Sequence, residues 1–315
     1  MLERKKYYYK AFGLNLFSEI EIPELNISNG KHDVCIQLGT VPSVMNNVLE
    51  ESNQYQLSRA EFLFDIEGVA KYYVTNGEQI FIELYKESDM NRVTVYLLGT
   101  AMGVLLIQRN RIAIHGSAIS VGQQALIITG ECGAGKTSLC SAFRKKGYGF
   151  LADDISVLSM DRDLQCFVHP AFPQQRLCSD TALKMGYNLQ NLKQSSMEED
   201  KYIVKLEENY IEEKMPLTVI VEIQIGKTEE VILEELKGID KIKHIERNIY
   251  CGQLYDHAGF TNEYYQTLLL TVKNTIFYSI IRPEQGFTVS EQLKKIMFKL
   301  TGENIGKRRK NEQED

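Results

Sequence analysis

Residues 125–137 read ALIITGECGAGKT, an apolar run followed at once by a glycine-rich octet that ends in lysine and threonine. The octet fits GxxxxGK[ST], a pattern that constrains a fold only when a strand precedes it and a helix follows. Both are legible here. ALIIT is strand-like, and Lys136–Lys146 reads as a helix with Leu139 and Phe143 one turn apart and Gly147 placed to end it. Gly130, Gly133 and Gly135 free the backbone to turn consecutive N–H groups inward onto an anion. The helix N-terminus adds its positive dipole end. On this reading Gly130, Glu131, Cys132, Gly133, Ala134, Gly135, Lys136, Thr137 and Ser138 form a phosphate-binding loop, a P-loop. Lys136 would reach the β- and γ-phosphates of a nucleoside triphosphate such as ATP, and the Thr137 hydroxyl would bind Mg²⁺. Such a loop reads phosphates rather than bases, so it does not choose the phosphoryl donor.

The surrounding pattern predicts an α/β core. Strands are expected at Ile112–Val121 and Ala125–Thr129 with a turn at Gly122-Gln123, then at Phe150–Leu158, Gln165–His169, Leu217–Ile225 and Thr275–Ile281. Asp161–Asp163 reads as a turn, and Asn262–Thr271 and Val289–Leu300 read as helices. The first 88 residues differ in texture. Tyr7–Phe17, Asp33–Leu38, Glu61–Ile66, Ala70–Val74 and Gln79–Leu84 are short and often alternating, with turn-like pieces such as Asn29-Gly30 and Asn76-Gly77. Residues 1–88 are therefore expected to form a small β-rich domain that binds a substrate or partner. Residues 89–300 would be the catalytic α/β domain, and the charged tail 301–315 would be disordered. Asn188–Asp200 is polar and reads as a loop. Val93–Gln108 is apolar but falls short of the roughly 20 residues a bilayer needs, so it reads as a buried helix.

Composition narrows the partners. A formal net charge of -6 over 315 residues argues against a nucleic-acid surface. The six cysteines are irregularly spaced and form no CxxC pair, which argues against a zinc site. MLERKKYYYK is too polar for a signal peptide, so reduced thiols, a cytoplasmic location and no membrane association are expected.

Three further residues bear on chemistry. Asp153 and Asp154 sit in the apolar segment GFLADD, where charge is costly unless it faces a cleft, a metal or a partner. One carboxylate could hold Mg²⁺, and the other could accept a proton from an attacking hydroxyl. His115 lies in RIAIHGSAIS, just before the loop strand; a packed core histidine and a catalytic one are both open.

Together these residues resemble a known family. IHGSAISVGQQALIITGECGAGKTSLCSAFRKKGYGFLADDISVL, residues 114–158, is similar to the core of HPr kinase/phosphorylase, in which a histidine strand precedes a P-loop, a short helix and a strand ending in Asp-Asp. The resemblance implies a P-loop kinase core of the HPr-kinase/PEP-carboxykinase-like type. It puts the general base on Asp153, metal binding on Asp154, Asp153 and Thr137, the active-site histidine on His115 and the phosphate-gripping lysine on Lys136. Cys132 stands where that loop often has serine. The family's second glycine-rich signature, of the Arg-Gly-Leu-Gly type, is absent here. The whole chain looks more like a divergent branch encoded with peptide natural-product clusters, through YYYKAFGLNLFSEIEIPEL, HPAFPQQRL, DKYIVKL, IERNIY and IIRP. That branch includes lasso-peptide kinases, which phosphorylate a C-terminal serine of a precursor peptide. It implies an ATP- and Mg²⁺-dependent serine kinase acting on a peptide or protein, with Arg247 of IERNIY meeting phosphate. The family also hints at a homo-oligomer. Rival readings are HPr serine kinase/phosphorylase itself, a kinase acting on a small molecule such as free serine, and a nucleotide-gated binding module that transfers nothing.

Overall fold

The computed structural model describes residues 5–195, 200–206, 208–256 and 258–302. Beyond residue 302 the expectation for the charged tail lies outside them. The chain is a mixed α/β protein with several sheets and helices.

Nine strands come first: β1 Tyr7–Ala11, β2 Leu14–Ser18, β3 Asn26–Ile27, β4 Val34–Leu38, β5 Glu50–Glu51, β6 Tyr55–Leu57, β7 Glu61–Ile66, β8 Ala70–Thr75 and β9 Gln79–Leu84. They form one sheet in the order β3-β1-β2-β4-β9-β8-β7-β6-β5. β2 and β8 bury alternate side chains, as expected where one face meets a core. Tyr7–Phe17, which reads as one strand in the sequence, is a hairpin. Phe12 (φ 57°) and Gly13 (φ 70°) form its two-residue turn. A phenylalanine is a poor turn signal. Its left-handed conformation is held from outside, by its own N–H on the Pro170 carbonyl and by Arg111 Nη1 on the Phe12 carbonyl.

A helical run follows, from α1 Met90–Tyr96 through a π-helical turn at Leu97–Ala101 to α2 Met102–Gln108. It is long and apolar enough to cross a membrane by length and composition alone, yet 61% of its apolar window is buried in this fold. It packs against β8 and the strand after it, so its apolar side chains join a core shared with the first sheet.

The second sheet contains β10 Ala113–Val121, β11 Gln124–Gly130, β12 Phe150–Ala152, β13 Ile155–Met160, β14 Cys166–His169, β18 Met215–Gly226, β19 Ile232–Leu236 and β20 Ile276–Pro283. β15 Gln174–Cys178, β16 Lys193–Gln194 and β17 Lys201–Lys205 make a small third sheet. The order β11-β10-β13-β14-β18-β20-β19 closes on itself, because β18 also pairs with β11. β11, β18 and β20 run parallel, and their carboxyl ends point the same way. β11 is buried at nearly every residue, which accounts for its unbroken apolar sequence. α3 Lys136–Lys145 and α7 Val289–Thr301 pack together over one face. α4 Ser179–Lys184, α5 Ile239–Glu246 and α6 Asn262–Asn274 complete the fold. The glycine loop leaves the carboxyl end of β11, and Arg282 stands at the carboxyl end of β20.

Candidate functional site

The loop after β11 leads directly into α3. Gly130 has φ 136°, and a Cβ there would lie 2.3 Å from the Ile223 carbonyl oxygen, so both conformation and space require glycine. Lys136 is nearly buried, and its Nζ donates to the carbonyls of Gly130 (2.8 Å) and Glu131 (3.0 Å). Burial lowers the Lys136 pKa, opposed by the neighbouring carboxylates of Asp154 and Asp153. Arg282, at the end of β20, braces the loop from the other side. Its Nε donates to the Ala134 carbonyl (2.9 Å) and its Nη2 to that of Gly133 (3.3 Å).

The segment Phe150–Leu158, expected as one strand, is broken at the two aspartates. Asp154 adopts φ 70°, rare for a non-glycine residue and found where surrounding contacts enforce it. The halves on either side, β12 and β13, both pair with β10. In the gap, the Ser117 hydroxyl donates to Asp153 Oδ1 (2.5 Å) and the Gly116 N–H donates to the Asp154 carbonyl (3.1 Å). The break therefore turns two consecutive carboxylates out of the sheet.

Asp153 is pushed up to about 6, chiefly by burial. The Ser117 hydroxyl opposes this, and the adjacent Asp154 reinforces it. Asp154 Oδ2 accepts from Arg176 Nη2 (2.7 Å), and its Oδ1 lies 3.4 Å from His115 Nδ1. That nitrogen is also 3.2 Å from the Asp154 carbonyl. A carbonyl only accepts, so this contact assigns the proton to Nδ1 and leaves Nε2 as an acceptor. Burial lowers the His115 pKa, so the ring is neutral near pH 7 despite the opposing charge of Asp154. Beneath it lies Tyr250, with ring centroids 5.7 Å apart. Gly103 makes room for that ring, since a Cβ there would meet Tyr250 at 2.7 Å.

One cleft of 760 Å³ gathers these groups. His115, Cys132 to Ser138, Asp153 and Asp154 all line it. Its wall continues past Phe172 and Arg176 to Phe12, Glu24, Asn91, Thr94 and Leu98. Gly130 and Glu131 lie at its root rather than in its lining, and Arg247 is outside the lining too, its pKa raised by Glu222 and more weakly by the charge of Glu131 in the loop. Its guanidinium makes a two-pronged pair with Glu222, through Nε to Oε1 and Nη2 to Oε2, both 2.7 Å. His244 and Asn248 also bond Glu222.

Arg176, Arg282, Ser117 and Glu222 are contacts that the sequence does not advertise. Arg176 and Arg282 sit in segments quoted for the family resemblance, HPAFPQQRL and IIRP, which was the available signal.

The donors suit a hard cation. Thr137, Asp153 and Asp154 supply hydroxyl and carboxylate oxygens to one cleft, the ligand type Mg²⁺ takes alongside substrate phosphates. Among the described residues, no three His, Cys, Asp or Glu side chains cluster to hold a metal by themselves. The described cysteines, all six, are free thiols.

No protein-family model matches the chain, and no curated protein matches it. Among solved structures, the HPr(Ser) kinase/phosphatase from Coxiella burnetii is similar at 12% identity, covering 60% of this chain and 93% of that chain with a TM-score of 0.31. A score that low marks a loose superposition, so the site is read from its own geometry.

Proposed function

We propose that the chain is an ATP- and Mg²⁺-dependent kinase that phosphorylates a serine hydroxyl of a peptide, most simply the precursor of a ribosomal peptide natural product of the lasso type. The observation that carries this reading is the single cleft shared by the glycine loop, Lys136, Asp153, Asp154 and His115. The loop N–H groups and Lys136 would grip the phosphates, with Mg²⁺ held by Thr137 and Asp154 together with phosphate oxygens. Bound there, the ion neutralises developing charge on the transferred group. Asp153, with a pKa near 6, is ionised at neutral pH yet basic enough to take the serine proton. His115, neutral and fixed by the Asp154 carbonyl, offers Nε2 as an acceptor. The cleft runs on to Phe12, Glu24 and Leu98, which gives an acceptor longer than one amino acid somewhere to lie.

The test is transfer of label from γ-labelled ATP with Mg²⁺ onto precursor-type peptides ending in serine. The expected product is a phosphoserine peptide, with Lys136→Ala lowering the rate by at least about 100-fold. Labelled HPr in place of the peptide would support the HPr-kinase reading instead. Tight nucleotide binding with no phosphorylated product from any serine substrate would point to the gated binding module and sink the kinase proposal.

A further inference from the structure

The end of the cleft away from the aspartates is built differently from the rest. It lies between α4 and the turn that joins β20 to α7, and Thr181, Lys184, Arg282, Phe287, Thr288 and Gln292 line it. Phe287 is 48% exposed and lines the cleft, so part of its ring is open to a ligand there. Lys184 Nζ sits 5.3 Å from the centre of that ring, and it also pairs with Asp180 on the exposed side of α4. Gln292 is the opposite case. It is 2% exposed; its Nε2 donates to the Thr288 hydroxyl (3.0 Å), and its Oε1 is buried with no hydrogen-bond partner among the described residues. Exchanging the amide oxygen and nitrogen only moves the orphan to the other atom, since Thr288 offers one hydroxyl. A buried polar atom left this way is costly unless something completes it.

This end is fastened to the glycine loop at two points. Arg282 bridges to the Ala134 and Gly133 carbonyls, and the Ser138 hydroxyl lies 3.4 Å from that of Thr181. A ligand whose phosphates rest on Lys136 and Ser138 would therefore extend its other end toward Phe287. A planar group with a hydrogen-bonding edge suits an aromatic face beside an unsatisfied amide.

We propose that Phe287, Gln292 and the Pro283–Thr288 turn form a nucleobase subsite, with the base stacked on Phe287 and its polar edge turned to Gln292. The proposal rests on the reading of the glycine loop as a triphosphate site. The subsite adds selection for a nucleotide over a bare polyphosphate, which the loop alone does not provide.

Calorimetric titration of the full chain with ATP and with inorganic tripolyphosphate, both with Mg²⁺, tests it. The wild type is expected to bind ATP at least tenfold more tightly than tripolyphosphate. Phe287→Ala should weaken ATP roughly tenfold, as loss of one base–aromatic stack does, and leave tripolyphosphate within about twofold. Phe287→Tyr should restore ATP binding. Phe287 is half exposed, so its truncation spares the core, and circular dichroism checks that. Equal wild-type affinity for the two ligands, or unchanged ATP affinity in Phe287→Ala, overturns the subsite and leaves the phosphate loop standing. Binding of neither ligand overturns both.

Discussion

Two carboxylate centres face the same physical problem and resolve it in opposite ways. Glu222 on β18 is 1% exposed, and burial alone would raise its pKa. Instead its pKa is lowered, because Arg247, His244 and Asn248 together outweigh that burial. Asp153 is half-buried beside β10 and β13, with the Ser117 hydroxyl and the more weakly acting Arg176 favouring its charge and a second carboxylate opposing it. Its pKa rises to about 6. Desolvation pushes both upward, so the charge and number of donors decide the outcome. Glu222 is compensated and lies outside the cleft lining; Asp153 is under-compensated and lines the cleft. The first arrangement holds β18 to α5. The second leaves a basic group facing open space, as general-base chemistry requires.

Amide substitution removes each charge without changing shape. Asp153→Asn should lower phosphoryl transfer by about 100-fold or more, the range for a lost general base, while ATP affinity stays within about threefold. Glu222→Gln should leave transfer within about threefold. Turnover of labelled ATP onto the acceptor, beside calorimetric nucleotide affinity, reads both. If Glu222→Gln lost as much turnover as Asp153→Asn, Glu222 would belong to the chemistry and the contrast would collapse.

Stability should rank the two centres in reverse. Glu222→Ala leaves the Arg247 guanidinium and the buried Asn248 amide without their carboxylate. Breaking a buried ion pair costs about 3–5 kcal/mol. Arg247 is half exposed and can return to water, so about 2–3 kcal/mol is expected here. Asp153→Asn should cost nothing. Urea unfolding midpoints at pH 7 compare them. Equal losses would mean that Asp153 is as much a structural group as Glu222.

How much of this contrast is legible in the chain depends on how local each interaction is. The glycine octet, the strand before it and the helix after it are contiguous, and α3 begins at Lys136 as its sequence suggests. Asp153 and Asp154 stand out because charge interrupts an apolar run. The break they cause is not legible, since φ 70° at Asp154 depends on a partner strand 36 or more residues away. Glu222 sits inside LTVIVEIQI, a segment correctly read as a strand. Its burial is invisible there, because His244, Arg247 and Asn248 reach it only when α5 folds back. For the same reason the pairing of both prongs of the Arg247 guanidinium with Glu222 is not legible in IERNIY. Arg282 is the converse case: 148 residues separate it from the loop carbonyl that it bonds.

The smallest effect is a pH dependence whose sign separates the two acids. Asp153 is raised in the folded protein from 3.8 to about 6. Between those values the folded state holds more protons than the unfolded state, so its contribution to stability grows as pH falls and is lost as pH rises through 6. Glu222 is lowered, so its contribution is present at neutral pH and is lost as pH falls through its folded pKa, below the ordinary glutamate range. Metal-free Asp153→Asn should therefore be more stable than the wild type at pH 7, by about 1 kcal/mol once partial solvation of the carboxylate is allowed for. The gap should close by pH 4, where the wild-type carboxyl is already neutral. Paired urea titrations at pH 4, 5, 6 and 7 with chelator present read the difference directly. A gap that widened on acidification would show that the native Asp153 is held ionised, like Glu222, and would remove the physical ground for assigning it the proton.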